Sequence, residues 1–165
     1  MFALKIVAVG IVLTAILATL ALMILARTAA RPGHLGLKDG RLAPCSSTPN
    51  CVSSQSSDQK NFIEPIFLDH SEEEAIARLM TILGNRKDGK VITARKRYVH
   101  VEFRSRLFGF VDDAEFYLDE DAKVLHFRSA ARVGYSDLGV NRKRLEDIRK
   151  AFLEMDAPSV IRESP

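Results

Sequence analysis

The sequence predicts an α+β fold: an antiparallel sheet of about four to five strands with two helices packed on one face, preceded by one N-terminal transmembrane helix. Three observations predict it. The first 30 residues are almost uncharged, segments near residues 71–84 and 141–155 have helical periodicity, and alternating apolar segments lie between them. A composition of 47% hydrophobic and 27% charged residues excludes collagen-like and wholly disordered chains.

The membrane anchor is predicted within residues 1–30. The 21 residues from Ile6 to Ala26 carry no charge, and a helix of that length spans the roughly 30 Å hydrocarbon core of a bilayer. The apolar core of a signal peptide is shorter, about 7–15 residues, although Thr28-Ala29-Ala30 has the small residues of a cleavage site. We expect an uncleaved anchor, with a cleaved signal peptide as the alternative.

The basic residues around this helix bear on its orientation and on nucleic-acid binding. Lys5 precedes the helix, and four basic residues follow it: Arg27, Arg31, Lys38 and Arg41. The positive-inside rule therefore favours a cytoplasmic C-terminal domain. Lys5 and Arg27 are the only charged side chains of the predicted anchor, and they account for most of the net charge of +3. The rest of the chain is nearly neutral, which argues against nucleic acid as a partner.

A Cys-containing tether is predicted over residues 31–61, which are rich in Pro, Gly and Ser and lack hydrophobic periodicity. Cys45 and Cys51 are the only cysteines in the chain. An isolated pair lacks the ligands of a tetrahedral zinc site, and the spacing is not that of a C-x-x-C redox motif. A disulfide is the simplest use and would require an oxidising, exported compartment. Two free thiols are the alternative.

The α+β domain is predicted over residues 62–157, with a C-terminal tail over residues 158–165. It begins with an edge strand at Phe62–Leu68, which Pro65 interrupts. A helix follows Ser71, where Ser71 and Glu74 have the spacing of a capping box. Its apolar residues share one face and are expected in the core: Ile76, Leu79, Met80 and Leu83.

Four strands are predicted next, at Lys90–Arg95, Tyr98–Arg106, Phe110–Leu118 and Lys123–Ala131. A two-residue turn at Phe108-Gly109 would place Phe103 opposite Ala114. A four-residue turn at Asp119–Ala122 would place Ala114 opposite Phe127. One face of these strands is then apolar, and a slip of one residue would destroy it.

The last predicted element is a helix from about Asn141 to Met155. Its apolar residues also share one face: Leu145, Ile148, Phe152 and Met155. Two such helices can cover the apolar face of the sheet, which gives a sandwich of two layers.

The stretch from Arg128 to Arg144 is the first candidate site. It gathers five cations against one acid, and three of the cations lie in the first turn of the last helix, where the helix dipole disfavours them. Arginines and backbone N–H groups at a helix start can bind a phosphate or carboxylate. The alternative is that these cations pair with acids of the strands. The candidate ligand-binding residues are Asp112, Asp113, Arg128, Arg132, Tyr135, Asp137, Asn141, Arg142 and Arg144.

A second candidate site lies on the polar face of the predicted sheet. The predicted register places Glu102 opposite Glu115, with His126 beside Glu115 and His100 diagonal to it. Two facing carboxylates need a proton or a cation between them. With two imidazoles they could hold a divalent transition metal or act as an acid/base pair. A solvated face with splayed side chains is the alternative, and no other cofactor is indicated.

Common catalytic motifs are absent from the sequence. It contains no G-x-S-x-G, no P-loop, no H-E-x-x-H and no dinucleotide fingerprint. The sequence therefore leans away from an enzyme, and it leaves the Glu/His cluster as the one place where catalysis or metal binding would be expected.

Three blocks of the sequence resemble the DUF1499 family, whose function is undefined: Cys45–Gln55, Phe108–Phe116 and Arg128–Arg144. The resemblance covers about residues 40–155. Members of that family often carry an N-terminal signal or anchor, so the resemblance implies an exported domain. It implies no reaction.

We therefore expect a single-pass membrane protein whose C-terminal domain lies on the exported, periplasmic or lumenal, side of the cell envelope. Its expected function is that of a binding or accessory module, which recognises an anionic small molecule or an envelope protein through the basic stretch. An enzyme or metal-binding protein that uses the Glu/His cluster is the alternative.

Overall fold

The computed structural model describes residues 2–155 and has the predicted α+β architecture. Its first elements are α1 (Phe2–Thr28), β1 (Leu37–Lys38), β2 (Arg41–Leu42), β3 (Cys51–Ser53) and β4 (Ile66–Phe67). They are followed by α2 (Glu72–Gly84), β5 (Gly89–Arg95), β6 (Tyr98–Arg104), β7 (Val111–Asp119), β8 (Val124–Ala131) and α3 (Val140–Glu154). The predicted C-terminal tail lies outside the described residues.

A six-stranded antiparallel sheet forms the centre of the domain. Its order is β3-β8-β7-β6-β5, and β4 also pairs with β8. The short strands β3 and β4 share the outer edge of β8, one near each end. The sequence predicted β5 to β8 closely, but it missed β3, and the predicted strand at Phe62–Leu68 is reduced to β4. Pairing with β8, rather than a local alternation of apolar residues, makes these segments strands.

Helices α2 and α3 pack on one face of the sheet, as predicted. The hydroxyl of Ser71 caps α2 by accepting a hydrogen bond from the Glu74 amide at 3.2 Å. Burying one Leu or Phe side chain contributes about 1.5–3 kcal/mol, so apolar contacts hold the two layers together. Side chains from both layers form the core, including Leu79, Phe103, Phe116, Phe127, Leu145, Ile148 and Phe152.

The register of β6, β7 and β8 differs from the prediction by two residues at each pairing. Ala114 lies opposite Val101 on β6 and Ser129 on β8. The prediction had placed Phe103 and Phe127 there. The difference arises because β6 ends at Arg104, before the predicted turn at Phe108-Gly109. Strand β7 continues to Asp119, the first residue of the second predicted turn. A shift of two residues leaves every side chain on its predicted face, so the apolar face was correct and the cross-strand pairs were wrong.

The segment predicted as a tether packs on the second face of the sheet. Its strands β1 and β2 form a hairpin around Asp39-Gly40, where positive φ values of 51° and 71° are those of a type I′ turn. Cys45 and Cys51 form the predicted disulfide. The sheet therefore has helices on one face and, on the other, an ordered layer of residues 29–50 and 54–57, which we call the loop layer; β3, between these two segments, lies in the sheet.

Helix α1 is long and apolar enough to cross a membrane, and its most apolar stretch of 18 residues has a mean hydropathy of 2.7. Ala26 is its only buried residue. The helix therefore projects from the domain and touches it only near its last turn.

Candidate functional site

Asp112 and Asp113 are neighbours on β7 and pair with arginines on opposite faces of the sheet. The predicted basic site is therefore split between these two faces. Neighbouring strand residues point to opposite faces, so Asp112 faces α3 and Asp113 faces the loop layer. Asp112 accepts a hydrogen bond from Arg144 at 2.8 Å, and Asp113 accepts two from Arg132 at 2.7 and 2.8 Å. Burial raises the pKa of Asp112 although Arg144 opposes this effect. For these two arginines, pairing with strand acids is confirmed.

On the helix side, Asn141 joins α3 to the sheet and to the loop layer. Its side chain is fully buried. The side-chain oxygen accepts hydrogen bonds from Arg144 at 2.8 Å and from the hydroxyl of Ser129, and the amide donates to the carbonyl of Asn50 at 3.3 Å. Asn141 and Arg144 are therefore engaged in internal contacts.

The other predicted ligand residues near the start of α3 do not converge. The carboxylate of Asp137 accepts hydrogen bonds from the amides of Gly139, the N-cap residue of α3, at 3.0 Å and of Asn141 in its first turn at 2.8 Å. Arg142 donates to two backbone carbonyls of the loop before β4, both at 2.8 Å. Tyr135 is 73% exposed. The basic stretch is thus not a single ligand site.

On the opposite face, Arg132 is the centre of a buried ion network. Its guanidinium donates to both Asp113 and Glu102, and Glu102 also accepts from Arg31 at 2.7 Å. His100 Nε2 lies 2.8 Å from Asp113 Oδ1. Asp113 is 1% exposed and His100 is 3% exposed. This face is therefore covered by the loop layer and is not solvated.

Glu115 is the centre of a second polar group, one row further along the same face. It is fully buried. It accepts hydrogen bonds from the Tyr98 hydroxyl at 2.7 Å, from the Gly36 amide at 2.7 Å and from Arg128 Nη1 at 3.2 Å. Burial, together with this carboxylate, raises the pKa of Tyr98. The Gly36 amide attaches the loop layer directly to the sheet.

The carboxylates around Arg132 are held in their ionised form. Burial raises the pKa of Asp113, but hydrogen bonds from Arg132 and His100 outweigh burial and lower it to about 2. Burial also raises the pKa of Glu102, and hydrogen bonds from Arg31 and Arg132 bring it below its ordinary value. The hydrogen bond to Asp113, against the effect of burial, raises the pKa of Arg132.

We expect Asp113 to contribute to acid unfolding. Its pKa is about 2 in the folded protein against 3.8 for a free side chain. Because the folded value is the lower one, its stabilisation is complete above about pH 5 and is lost as the pH falls to about 2. The loss should amount to about 2 kcal/mol in urea unfolding of the full chain in detergent.

The control for this experiment is Asp113→Asn, which cannot titrate at this position. It should be less stable at neutral pH, and its stability should fall less steeply below pH 5 than that of the wild type. Parallel pH profiles for the two proteins would contradict the assignment.

The predicted Glu/His cluster is not assembled. The observed register places Glu102 opposite Asp113 rather than Glu115, and His126 opposite Tyr117. The carboxylates that were predicted to face each other have arginine partners instead. Within residues 2–155, no group of three or more His, Cys, Asp or Glu side chains could hold a metal ion. Burial lowers the pKa of His126, which lies near the start of β8.

A cavity of about 280 Å³ lies between this face and the loop layer, and we call it the arginine cavity. Arg128 and Arg132 line it from the sheet, and Ser46, Thr48 and Asn50 line it from the loop that the disulfide closes. The Arg128 side chain is 5% exposed, and its Nε atom is buried without a hydrogen-bond partner. A buried donor without an acceptor costs about 1–3 kcal/mol, so an oxygen atom within reach would be bound favourably.

A larger cavity of about 830 Å³ lies within the loop layer and is lined mainly by residues 33–47 and 53–61. Its charged lining side chains are all exposed. Water competes for such groups, so the arginine cavity is the stronger candidate site.

The sequence did not identify several residues of this site. Tyr98 lies on a predicted strand, but no pattern in the sequence singled it out as a site residue. Arg31, Gly36 and Asn50 lie in the segment read as a tether, where no periodicity indicates which residues face the sheet. Arg128, Arg132 and Asp113 were predicted as site residues, and the structure does bring these three together.

Of the comparisons with known proteins, the one with protein families gives a match. A family model described as a protein of unknown function, DUF1499, matches residues 41–152, most of the chain. The chain belongs to the DUF1499 family. The match includes the disulfide, Arg128 and Arg132, whereas α1 and Arg31 precede it. No curated protein and no solved structure matches this DUF1499 protein. Its function is therefore argued from the geometry of the site.

Proposed function

We propose that this DUF1499 protein is a membrane-anchored, exported binding module that holds a small anionic group in the arginine cavity. Arg128 carries the proposal. Its Nη1 atom is paired with Glu115, its Nε atom is buried without a hydrogen-bond partner, and Arg128 is one of the residues that line the cavity. A carboxylate or phosphate oxygen would accept a charge-assisted hydrogen bond from this donor.

The size and lining of the arginine cavity favour a small, oxygen-rich group. Its volume of about 280 Å³ is slightly below the roughly 300–1,000 Å³ of typical ligand pockets. Ser46, Thr48 and the Asp113 carboxylate also line it, but the two hydroxyls hydrogen-bond each other and Asn50, so the arginines are the donors for an anion. The carboxylates of Asp113, Glu102 and Glu115 already offset the charges of Arg132, Arg31 and Arg128, so directed N–H donors would hold the anion, with little contribution from net charge.

Anion binding can be tested with inorganic phosphate and malonate on the full chain in detergent. We expect either anion to raise the thermal unfolding midpoint, because a ligand at 100 times its Kd stabilises a protein by about 2.7 kcal/mol. Arg128→Lys keeps the charge beside Glu115 but removes the Nε donor. We expect that variant to bind at least about tenfold more weakly.

Lys143→Met is the matched control, because it removes a cation that is 76% exposed on α3, outside the cavity lining. It should respond to phosphate as the wild type does. General salt stabilisation would act on all three proteins alike. An equal response in Arg128→Lys and the wild type, or no response to either anion, would refute the proposed site.

The proposed location is supported by α1 and by the disulfide. Helix α1 spans 27 residues and projects from the domain. The Cys45–Cys51 bond is typical of an oxidising compartment, which supports the exported side. The four basic residues after α1 favour the opposite orientation by the positive-inside rule. The proposal follows the disulfide, because such a bond does not normally persist in a reducing cytoplasm.

A further inference from the structure

We infer that the end of the domain nearest α1 rests on the membrane surface, where the connection between β6 and β7 contacts anionic lipid headgroups. The inference rests on the proposed membrane anchoring. It adds which surface of the domain meets the bilayer and which lipid charge that surface prefers.

The first observation is a direct contact between the end of α1 and this connection. Ala26 is fully buried, and Arg27 is the first charged residue after the apolar segment. A charged residue that ends a membrane-spanning segment lies at the headgroup level. The Arg27 side chain lies against Gly109, where an added Cβ would come within 2.9 Å of its Cγ atom. The β6–β7 connection is therefore at the same level as the end of the anchor.

The second observation is the path of the chain after α1. The carbonyl of Ala29 accepts a hydrogen bond from Arg132, just beyond the end of β8. The Gly36 amide reaches Glu115 near the middle of β7, and Gly40 lies close to the hydroxyl of Tyr117. The loop layer thus runs from one end of the sheet towards the other. The nine residues of β7 span about 30 Å, so the far end of the sheet lies well away from the anchor.

The third observation concerns the side chains at the end of the sheet that lies nearest α1, which we call the near end. Leu107 is 72% exposed, and Arg104 and Arg106 beside it are exposed. Within residues 2–155, neither arginine forms an ion pair. The loop after β8 leaves the same end of the sheet, and there Tyr135 is 73% exposed and Leu138 93% exposed. Exposed apolar and aromatic side chains flanked by cations are typical of surfaces that lie in the membrane interface.

The far end of the sheet also carries cations. Arg97, in the turn between β5 and β6, pairs with Glu72 at 3.2 Å and also with Glu120. Lys96 pairs with Glu72 as well. Arg104 and Arg106 lack such acidic partners among the described residues, and they lie at the end of the sheet that contacts α1. Unpaired arginines close to a bilayer attract anionic lipids within about a Debye length.

The test uses the absence of tryptophan from the chain. Leu107→Trp introduces a single reporter at the near end of the full-length protein. Phe67→Trp is the matched control, since Phe67 is 70% exposed and pairs with Val124 at the far end. Both proteins are reconstituted into phosphatidylcholine vesicles with and without roughly one third phosphatidylglycerol. Quenching by lipids brominated on their acyl chains measures contact with the bilayer.

We expect quenching of Leu107→Trp to be at least about threefold stronger than that of Phe67→Trp. It should be about twofold stronger with phosphatidylglycerol than without it. Adding Arg104→Gln and Arg106→Gln should abolish this lipid dependence. Equal quenching of both reporters in proteins that float with the vesicles would overturn the inference alone. Failure of both proteins to float would overturn the anchoring and the inference with it.

Discussion

Replacing Arg132 by Met should lower the free energy of unfolding by about 3–5 kcal/mol, the usual cost of removing one partner from a buried ion pair. The Arg132 side chain is 7% exposed and pairs with Asp113 and Glu102, which lie opposite each other on β7 and β6. Without the guanidinium, two neighbouring carboxylates share only Arg31 and His100. One carboxylate must then take up a proton or the loop layer must open.

The measurement is urea unfolding of the full chain in detergent at neutral pH. Lys143→Met is the control, because its pair with Asp147 is exposed and such pairs contribute less than about 1 kcal/mol. Combining Arg132→Met with Asp113→Asn should cost less than the sum of the single changes, because the pair is removed together. A loss below about 1 kcal/mol for Arg132→Met would contradict the buried network.

Removing the disulfide should lower the free energy of unfolding by about 2–3 kcal/mol, near the lower end for native disulfides because the closed loop is short. The variant is Cys45→Ser combined with Cys51→Ser. The loop between the cysteines contains Asn50, whose carbonyl accepts from the Ala131 amide at 3.0 Å and whose side chain donates to Gly134 at 2.6 Å. Loosening this loop should also weaken phosphate binding in the arginine cavity several-fold.

The disulfide also reports the compartment of the domain. In intact cells, both cysteines of the wild type should resist alkylation by a maleimide until a reductant converts the disulfide into two thiols. A reductant should destabilise the wild type and leave the double serine variant unchanged. Alkylation of both cysteines before reduction would contradict the disulfide and remove the support that it gives to the exported location.

Local patterns predicted most elements of the fold. The uncharged segment before Arg27 predicted α1, the Ser71 cap predicted the start of α2, and alternating residues predicted β5 to β8. The short strands were not predictable in this way. Strand β3 contains only Cys51–Ser53, too few residues for a pattern, and exists because its backbone pairs with β8.

The sequence predicted several residues of the candidate site but not which of them contact each other. Asp113, Arg128 and Arg132 were singled out by charge, and so were Asp112 and Arg144, which the strand then separates onto the other face. The metal cluster failed because it needed one particular register, and the observed register brings His126 to Tyr117 instead.

The sequence by itself determined the helices, the four long strands and the face on which each residue of those strands lies, because side chains alternate with a period of two and a shift of two residues preserves that face. Only the tertiary structure decided which arginine meets which carboxylate, since this depends on register and on contacts between distant residues. It also decided that residues 29–50 and 54–57 cover the polar face. Those residues follow no repeating pattern, and their positions come from hydrogen bonds such as that between the Gly36 amide and Glu115.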